Sequence, residues 1–76
     1  MAVEVRLPRL GVSMTEGTVS QWLVEDGMTV SAGDQLYVLE TDKVENEIES
    51  PAAGLVRCIG LAGETYAVGD LIAVIE

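Results

Sequence analysis

Two copies of one residue pattern, 36 positions apart, occupy much of this 76-residue chain. Residues 27–40 align with residues 63–76, and both copies have Gly, Thr, Gly, Asp, Val and Glu at equivalent positions. Upstream, residues 17–19 align with residues 54–56 at an offset of 37, which implies one extra residue in the first half. Two copies are too few for a solenoid, which usually needs about three. We therefore expect two four-strand halves related by a pseudo-two-fold axis, each burying one face against the other.

Short runs rich in Val, Ile, Leu and Thr are separated by eight glycines, and none has the apolar spacing of a helix. This punctuation is typical of an all-β chain. The first strand alternates at Val3, Val5 and Leu7 and ends at Pro8. Seven further candidate strands cover residues 17–24, 28–30, 35–40, 44–50, 54–59, 64–66 and 71–75. The sequence therefore predicts one domain over residues 1–76, folded as a small sandwich or flattened barrel.

Each copy of the repeat has a Gly-Asp pair directly before an apolar strand, Gly33-Asp34 in the first and Gly69-Asp70 in the second. Glycine can adopt backbone angles that are closed to other residues, so we interpret both pairs as turns. The apolar residues that follow are predicted to lie in the core: Leu36, Val38, Ile72 and Val74.

The charge balance excludes several classes of partner. Thirteen Asp and Glu residues stand against four Lys and Arg, giving a formal net charge of −9. This argues against nucleic acid or an anionic membrane surface, because each phosphate contact needs a basic residue. No run approaches the ~18 apolar residues of a membrane span.

The chain also lacks the side chains on which many enzymes and metal sites depend. It has no histidine, the usual general base and the commonest metal ligand. Its one cysteine, Cys58, cannot form an internal disulfide or a thiolate cluster, and we interpret it as an inert buried thiol. We therefore predict no metal and no catalytic residue.

The segment that joins the two halves, residues 40–50, contains the only lysine, Lys43. We predict a hairpin with a type I turn near Asp42-Lys43. On the following strand Val44 and Ile48 would face one way, and the acids would face water: Glu45, Glu47 and Glu49. The neighbouring carboxylates favour the charged ammonium, so this amine is a poor spontaneous nucleophile, but the hairpin presents it in a fixed direction. Spacing alone leaves two interpretations open, a modified lysine and a solvated turn lysine.

Two sets of residues carry a family resemblance: Glu40-Thr41-Asp42-Lys43-Val44 with Glu47 and residues 50–54, and residues 7–19 with Trp22 and the spacing from Asp26-Gly27 to Gly33-Asp34. They are similar to lipoyl domains, the carrier modules of the acyltransferase (E2) components of 2-oxo acid dehydrogenase complexes. The resemblance covers essentially the whole chain. It implies a flattened β-barrel of two four-stranded antiparallel sheets, with pseudo-two-fold symmetry and the lysine at a turn tip.

The resemblance also implies the chemistry. Lipoic acid would form an amide with Lys43 and place a dithiolane on a long flexible arm. A thiamine-diphosphate decarboxylase (E1) would reductively acylate the disulfide, the E2 catalytic domain would pass the acyl group to coenzyme A, and a flavin dehydrogenase (E3) would reoxidise the dithiol. The domain would carry the substrate without supplying an acid or base of its own, consistent with the missing histidine. Tethering would replace diffusion by a high effective concentration near each active site.

By the same resemblance, partner enzymes would recognise two groups of residues. The first surrounds the lysine and would be read by the lipoate-attaching enzyme or by E1: Glu40, Thr41, Asp42, Val44 and Glu47. Of these, Asp42 and Val44 flank the lysine and would be read by the attaching enzyme. The second lies in a surface loop beside the hairpin and would help a cognate E1 recognise the domain: Gly11, Ser13 and Met14. A plain connecting loop is the alternative for the second group. Trp22 and Tyr37 are predicted to pack in or near the core.

Biotin carrier domains share this architecture and are the main alternative. Their lysine lies between two methionines, whereas Lys43 lies between Asp42 and Val44. A glycine-cleavage carrier, an unmodified docking module that uses the acidic hairpin, and a hydrolase with paired carboxylates are further alternatives. The isolated domain is expected to be monomeric and to come from a bacterial cytoplasm, or from the mitochondrial matrix if the source is eukaryotic. The absence of an Ala/Pro linker before Glu76 suggests a fragment of a longer E2.

Overall fold

The computed structural model describes residues 2–76, which form eight β-strands. The strands are β1 (Val3–Arg6), β2 (Glu16–Trp22), β3 (Thr29–Val30), β4 (Gln35–Glu40), β5 (Glu45–Glu49), β6 (Gly54–Cys58), β7 (Thr65–Ala67) and β8 (Leu71–Ile75). All eight predicted strands are confirmed, each within about two residues of its predicted ends. Among these residues no helix is long and apolar enough to cross a membrane.

The strands form two four-stranded sheets in which every pair is antiparallel. The first sheet has the order β1-β8-β6-β3 and the second the order β5-β4-β2-β7. The molecule measures 32 × 20 × 18 Å. The predicted all-β architecture of two antiparallel sheets is confirmed.

The two halves of the repeat are interleaved, so the expectation that each half forms its own face is wrong. The first sheet takes β1 and β3 from the first half and β6 and β8 from the second. Exchanging each strand of the first half with its equivalent in the second (β1 with β5, β2 with β6, β3 with β7, β4 with β8) converts the order β1-β8-β6-β3 into β5-β4-β2-β7. The pseudo-two-fold axis therefore exchanges the two sheets. A sequence repeat shows which strands are equivalent but not which strands are neighbours.

Both Gly-Asp pairs form turns, as predicted, and the two turns have the same hydrogen bonds. Gly33 and Gly69 have φ angles of 93° and 95°, a region that favours glycine. The residue after each glycine then closes the turn with its carboxylate. Asp34 Oδ2 accepts the N–H of Ser31 at 2.8 Å, and Asp70 Oδ2 accepts the N–H of Ala67 at 2.9 Å.

Each half also has a bulge at an equivalent position. One residue is left between two paired positions in each strand, Leu36 in β4 and Ile72 in β8. Both are buried, as predicted. Because the extra residue reverses the inward–outward alternation, Val38 and Val74 are only half-buried, and their placement in the core is wrong. The core is apolar and comes from both sheets: Val5, Leu7, Val19, Val30, Leu36, Tyr37, Leu39, Val56, Ile72, Ala73 and Ile75.

The two aromatic residues predicted to pack do so. Tyr37 is fully buried, and its ring centroid lies 5.2 Å from that of the half-buried Trp22. Trp22 Nε1 donates to the carbonyl oxygen of Gly60 at 2.9 Å. The Tyr37 hydroxyl has no hydrogen-bond partner among the described residues. Burial raises the pKa of Tyr37 from 10.0 to about 12.

Tyr37→Phe is expected to leave stability within about 1 kcal/mol of wild type at neutral pH, because the lost hydroxyl makes no hydrogen bond. Above pH 10 the two proteins should diverge. The folded state holds the Tyr37 proton more tightly than the unfolded state. The stabilisation that comes from the protonated hydroxyl is therefore fully present in the wild type below pH 10 and is lost as the pH rises through about 12, whereas Tyr37→Phe has no such loss. Urea unfolding of both proteins across this range measures it. A parallel decline in both would contradict the assignment.

Cys58 differs modestly from its prediction. It is half-buried at the end of β6 rather than fully buried. Its backbone N–H donates to Asp26 Oδ1 at 2.8 Å. Burial, and secondarily the negative charge of Asp26, raises the pKa of the Cys58 thiol. The thiol is therefore held in its protonated, less nucleophilic form.

Candidate functional site

The hairpin between β4 and β5 is closed by the side chain of Thr41. The Thr41 N–H donates to the carbonyl oxygen of Val44 at 2.8 Å. Thr41 Oγ1 accepts the N–H of Val44 at 3.2 Å and that of Lys43 at 3.4 Å. Neither Asp42 nor Lys43 has a positive φ, as a type I turn requires. One threonine therefore fixes the backbone on both sides of the lysine.

Lys43 lies at the exposed tip of this hairpin. Within residues 2–76 its ammonium makes no ion pair, although acidic residues surround it in sequence. The two ion pairs in the described chain use arginines, Arg6 with Glu4 and Arg57 with Glu76. The amine is therefore accessible to a second protein and is not held by a carboxylate.

The strand after the turn follows its predicted alternation only in part. Ile48 is half-buried and packs against the core. Val44 is 49% exposed and Asn46 is also exposed, although both share the parity of Ile48. The acids of the other face are exposed as predicted: Glu45, Glu47 and Glu49. The inward-facing positions near the tip, Val44 and Asn46, thus extend past the core, and Val44 leaves apolar surface exposed beside the lysine.

A groove of ≈ 790 Å³ separates the hairpin from the loop between β1 and β2. We call it the hairpin groove. Its lining is Leu10, Gly11, Ser13, Met14, Thr15, Glu16, Gly17, Thr18, Glu40, Thr41, Asp42, Lys43, Val44 and Thr65. Seven of the eight residues proposed for recognition from the sequence therefore lie on one groove with Lys43. Glu47 does not: it lines a separate, smaller depression with Gln21 and Val38.

The loop side of the groove is held by local contacts. The Met14 N–H donates to the carbonyl oxygen of Gly11 at 3.1 Å, and Met14 Sδ accepts the N–H of Leu10 at 3.2 Å. Met14 also packs against the core. Val12, by contrast, is 95% exposed and lies outside the groove lining. The loop therefore directs Met14 inward and Val12 to solvent.

Sequence reasoning missed the part of the groove contributed by β2 and β7. Thr18 pairs with Thr65 across these strands, and their hydroxyl oxygens are 2.8 Å apart. The only signal for Thr65 was its identity with Thr29 in the repeat. A residue shared by both copies of the repeat is expected to have a role in the fold and not in the site. Only the strand order shows that Thr65 lies near the hairpin.

The ends of the described chain lie at the opposite end of the barrel from Lys43. β5 runs away from the tip, and beyond it the Ser50 N–H donates to the carbonyl oxygen of Asp34 at 2.7 Å. At that end the chain crosses to the other sheet, where Gly54 pairs with Val30. The next residue, Leu55, exchanges two backbone hydrogen bonds of 2.8 Å with Glu76.

The chemistry of this site is that of a presented primary amine. No group of three His, Cys, Asp or Glu side chains in the described chain is arranged to hold a metal ion. The amine can form an amide with a carboxylic acid, and the exposed tip leaves space for the attached group. A lipoyl or biotinyl group fits such a position, because both are attached to lysine through a carboxyl group.

Comparison with known proteins identifies the family of the chain. The family model described as "Biotin-requiring enzyme" (Biotin_lipoyl) matches residues 3–75. The dihydrolipoyllysine-residue acetyltransferase component of the pyruvate dehydrogenase complex of Zymomonas mobilis is 46% identical over 97% of this chain. The corresponding component of the acetoin cleaving system of Pseudomonas putida is 40% identical over 91% of it. The succinyltransferase component of the 2-oxoglutarate dehydrogenase complex of Bartonella vinsonii is 43% identical over 100% of it.

These relatives are much longer than the chain, which spans 17%, 19% and 19% of their respective lengths. The similarity is therefore to one part of each relative. The family model extends from the first strand to the last, and so includes the hairpin and the loop beside it. The chain belongs to the biotinyl- and lipoyl-attachment domain family.

Proposed function

We propose that the chain is a lipoyl carrier domain of an E2 acyltransferase, with lipoic acid in amide linkage to Lys43. One observation carries the proposal: the only lysine of the chain is exposed at a hairpin tip in a domain whose relatives are named as dihydrolipoyllysine-residue acyltransferases. The attached dithiolane supplies the disulfide that accepts an acyl group and two electrons. The domain carries this group between E1, the E2 catalytic domain and E3.

The residues of the chain present the arm without reacting with it. Thr41 fixes the direction of the lysine backbone. The barrel places the tip at the end opposite Glu76, so the last described residue lies away from the amine. The carboxylates around the tip are exposed, including those of the cross-strand partners Glu40 and Glu45. This arrangement supports a carrier that contributes no catalytic group of its own.

Lipoic acid is favoured over biotin on two grounds. Lys43 lies between Asp42 and Val44 and has no flanking methionine, although Met14 lines the same groove. The Zymomonas, Pseudomonas and Bartonella relatives, at 40–46% identity, are each named for a dihydrolipoyllysine residue and not for biotin. Biotin attached to Lys43 is the second candidate, and the experiment described below distinguishes it from lipoic acid.

Recognition by partners is proposed for the hairpin groove. The lipoate-attaching enzyme would contact Glu40, Thr41, Asp42 and Val44 on one wall, and a cognate E1 would contact Gly11, Ser13 and Met14 on the other. The two sets face the same groove, which supports their use by enzymes that must reach the same arm. Glu47 lies outside it, so a contact there would belong to a wider footprint along β5.

The test of the proposed function is competitive modification. The chain would be produced together with a biotin–protein ligase, a lipoate–protein ligase and both vitamins, and its intact mass measured. We expect one lipoyl increment, located at Lys43 by peptide mapping. A biotinyl increment without a lipoyl increment would establish the second candidate, and no increment would remove both.

The bonds made by Thr41 predict a defect in lipoylation. Thr41→Val keeps the shape of the side chain but removes the hydroxyl that accepts two backbone N–H groups. We expect kcat/KM for enzymatic lipoylation to fall about tenfold and stability to fall by about 1 kcal/mol. Thr41→Ser should restore both.

Thr18→Val is the matched control, because its hydroxyl bonds to Thr65 in the same groove but away from the turn. It is expected to be lipoylated at the wild-type rate. If Thr41→Val is also lipoylated at that rate, the turn is not fixed by Thr41.

A further inference from the structure

The hairpin groove exposes apolar surface that presenting an amine does not require. Leu10 is 42% exposed and Val44 is 49% exposed, and both line the groove together with Met14. These three side chains come from opposite walls. The groove volume of ≈ 790 Å³ falls within the range of about 300–1,000 Å³ that is usual for small-molecule sites.

The loop that builds this groove is longer than its symmetry equivalent. The segment between β1 and β2 has nine residues, 7–15, whereas the equivalent segment between β5 and β6 has four, 50–53. Four residues are therefore enough to connect these positions of the barrel. The longer segment contributes Leu10 and Met14, which is evidence that the groove has a role beyond closing the fold.

The charge of the groove restricts what can occupy it. Glu16, Glu40 and Asp42 line it, and the lysine that would offset them loses its positive charge on forming an amide. An anionic occupant would be repelled by these carboxylates. A neutral, largely apolar group would cover Leu10 and Val44 while the carboxylates stay in water.

Resting on the proposed function, we propose that the hairpin groove is a docking site for the neutral lipoyl group carried by Lys43 of the same molecule. Lys43 itself lines the groove, so the arm begins at the site that would receive it. A short tether gives an effective concentration in the millimolar range, so an intrinsic dissociation constant of about 1 mM is enough to populate the docked state. The arm then alternates between a docked and a free state, and docking lowers the fraction available to a partner.

The experiment uses the 76-residue chain with ¹³C in its methionine methyl groups. The three methionines include Met14 in the groove and Met28 outside it, which is 48% exposed and serves as an internal reference. Intact mass establishes which molecules carry the lipoyl group. We expect lipoylation to shift the Met14 methyl resonance but not that of Met28, with nuclear Overhauser contacts between the Met14 methyl and protons of the arm.

Two leucine variants provide a matched pair. Leu10→Ser removes apolar surface from the groove and is expected to lower the docked-to-free ratio about fivefold. Leu61→Ser removes the same side chain from an exposed site outside the groove, where Leu61 is 65% exposed, and should leave the ratio unchanged. Neither residue is part of the attachment turn, so both variants should be lipoylated.

The outcomes separate this proposal from the proposed function. Failure to attach lipoate would overturn both. A lipoylated chain would overturn docking alone if its Met14 resonance matched the unmodified chain and its arm relaxed like a lipoyl-lysine in a short unstructured peptide. An equal loss of docking in the Leu10→Ser and Leu61→Ser variants would also overturn it, because the effect would then not depend on the groove.

Discussion

Lys43→Arg is expected to abolish lipoylation completely while leaving the fold intact. Arginine keeps the positive charge but has no primary amine that can form the amide. Lys43 is exposed and makes no ion pair within the described chain, so we expect stability to stay within about 0.5 kcal/mol of wild type. Intact mass after production with a lipoate–protein ligase should show no increment for the variant and one for the wild type.

The electrophoretic mobility gives an independent readout of the same change. Amide formation removes one positive charge and takes the formal net charge of the wild type from −9 to −10, whereas Lys43→Arg stays at −9. Modified wild type should therefore migrate faster in a native gel than the variant.

In a complex with no other lipoyl domain, the Lys43→Arg variant should also eliminate reductive acylation by E1. Full activity there would favour a docking module over a carrier.

The local features of this fold were predictable because they depend on neighbouring residues. Glycine punctuation and β-branched runs located the strands, and the Gly-Asp pairs located the turns that Asp34 and Asp70 close. The position of Lys43 at a hairpin tip was predictable for the same reason. Each of these features requires only knowledge of which residues lie within a few positions in sequence.

The arrangement of strands was less predictable, because it depends on contacts between distant residues. The interleaving of the halves follows from the pairing of β8 with both β1 and β6. The alternation at Val38 and Val74 was misassigned because a bulge is one unpaired residue with no distinctive side chain. The parity argument was correct at Leu36 and Ile72 and failed only beyond the bulges.

The candidate site shows the same division. The residues that flank Lys43 and those of the loop beside it were identified from their order along the chain, and the fold brings these two segments to one groove. Glu47 was grouped with them because it belongs to the set of residues that carries the family resemblance. In the structure it lies along β5 beside Val38, away from the groove. Thr65 was missed because it reaches the groove through β7.

Gly54→Ala is expected to destabilise the domain more than the same substitution at any other glycine considered below. Gly54 has a φ of 153°, which is unfavourable for other residues. A Cβ placed there would overlap the backbone oxygen of Glu76 and lie 3.0 Å from Ile75 Cγ2. Glu76 is held by two hydrogen bonds to Leu55, so neither strand can move without breaking the ladder between them. Strain and overpacking together should cost about 2–4 kcal/mol.

The symmetry-related glycine shows why the location of the clash determines this cost. A Cβ at Gly17 would lie 2.7 Å from Leu39 Cδ1 and 3.1 Å from Met14 Cε, which are the ends of flexible side chains. Gly17 also has no positive φ. We therefore expect Gly17→Ala to be milder than Gly54→Ala, although the sequence repeat treats the two positions as equivalent.

Two further glycines separate strain from overlap in the same measurement. Gly69→Ala introduces a side chain at a φ of 95° with no atom within 4 Å, so it reports strain alone and should cost about 1–2 kcal/mol. Gly11→Ala has neither a positive φ nor a neighbour within 4 Å and should be close to neutral. Thermal unfolding should rank the melting temperatures Gly11→Ala, Gly69→Ala, Gly54→Ala from highest to lowest. If Gly54→Ala melted at or above the temperature of Gly69→Ala, overlap of the added Cβ with Glu76 would not add to the cost of the substitution.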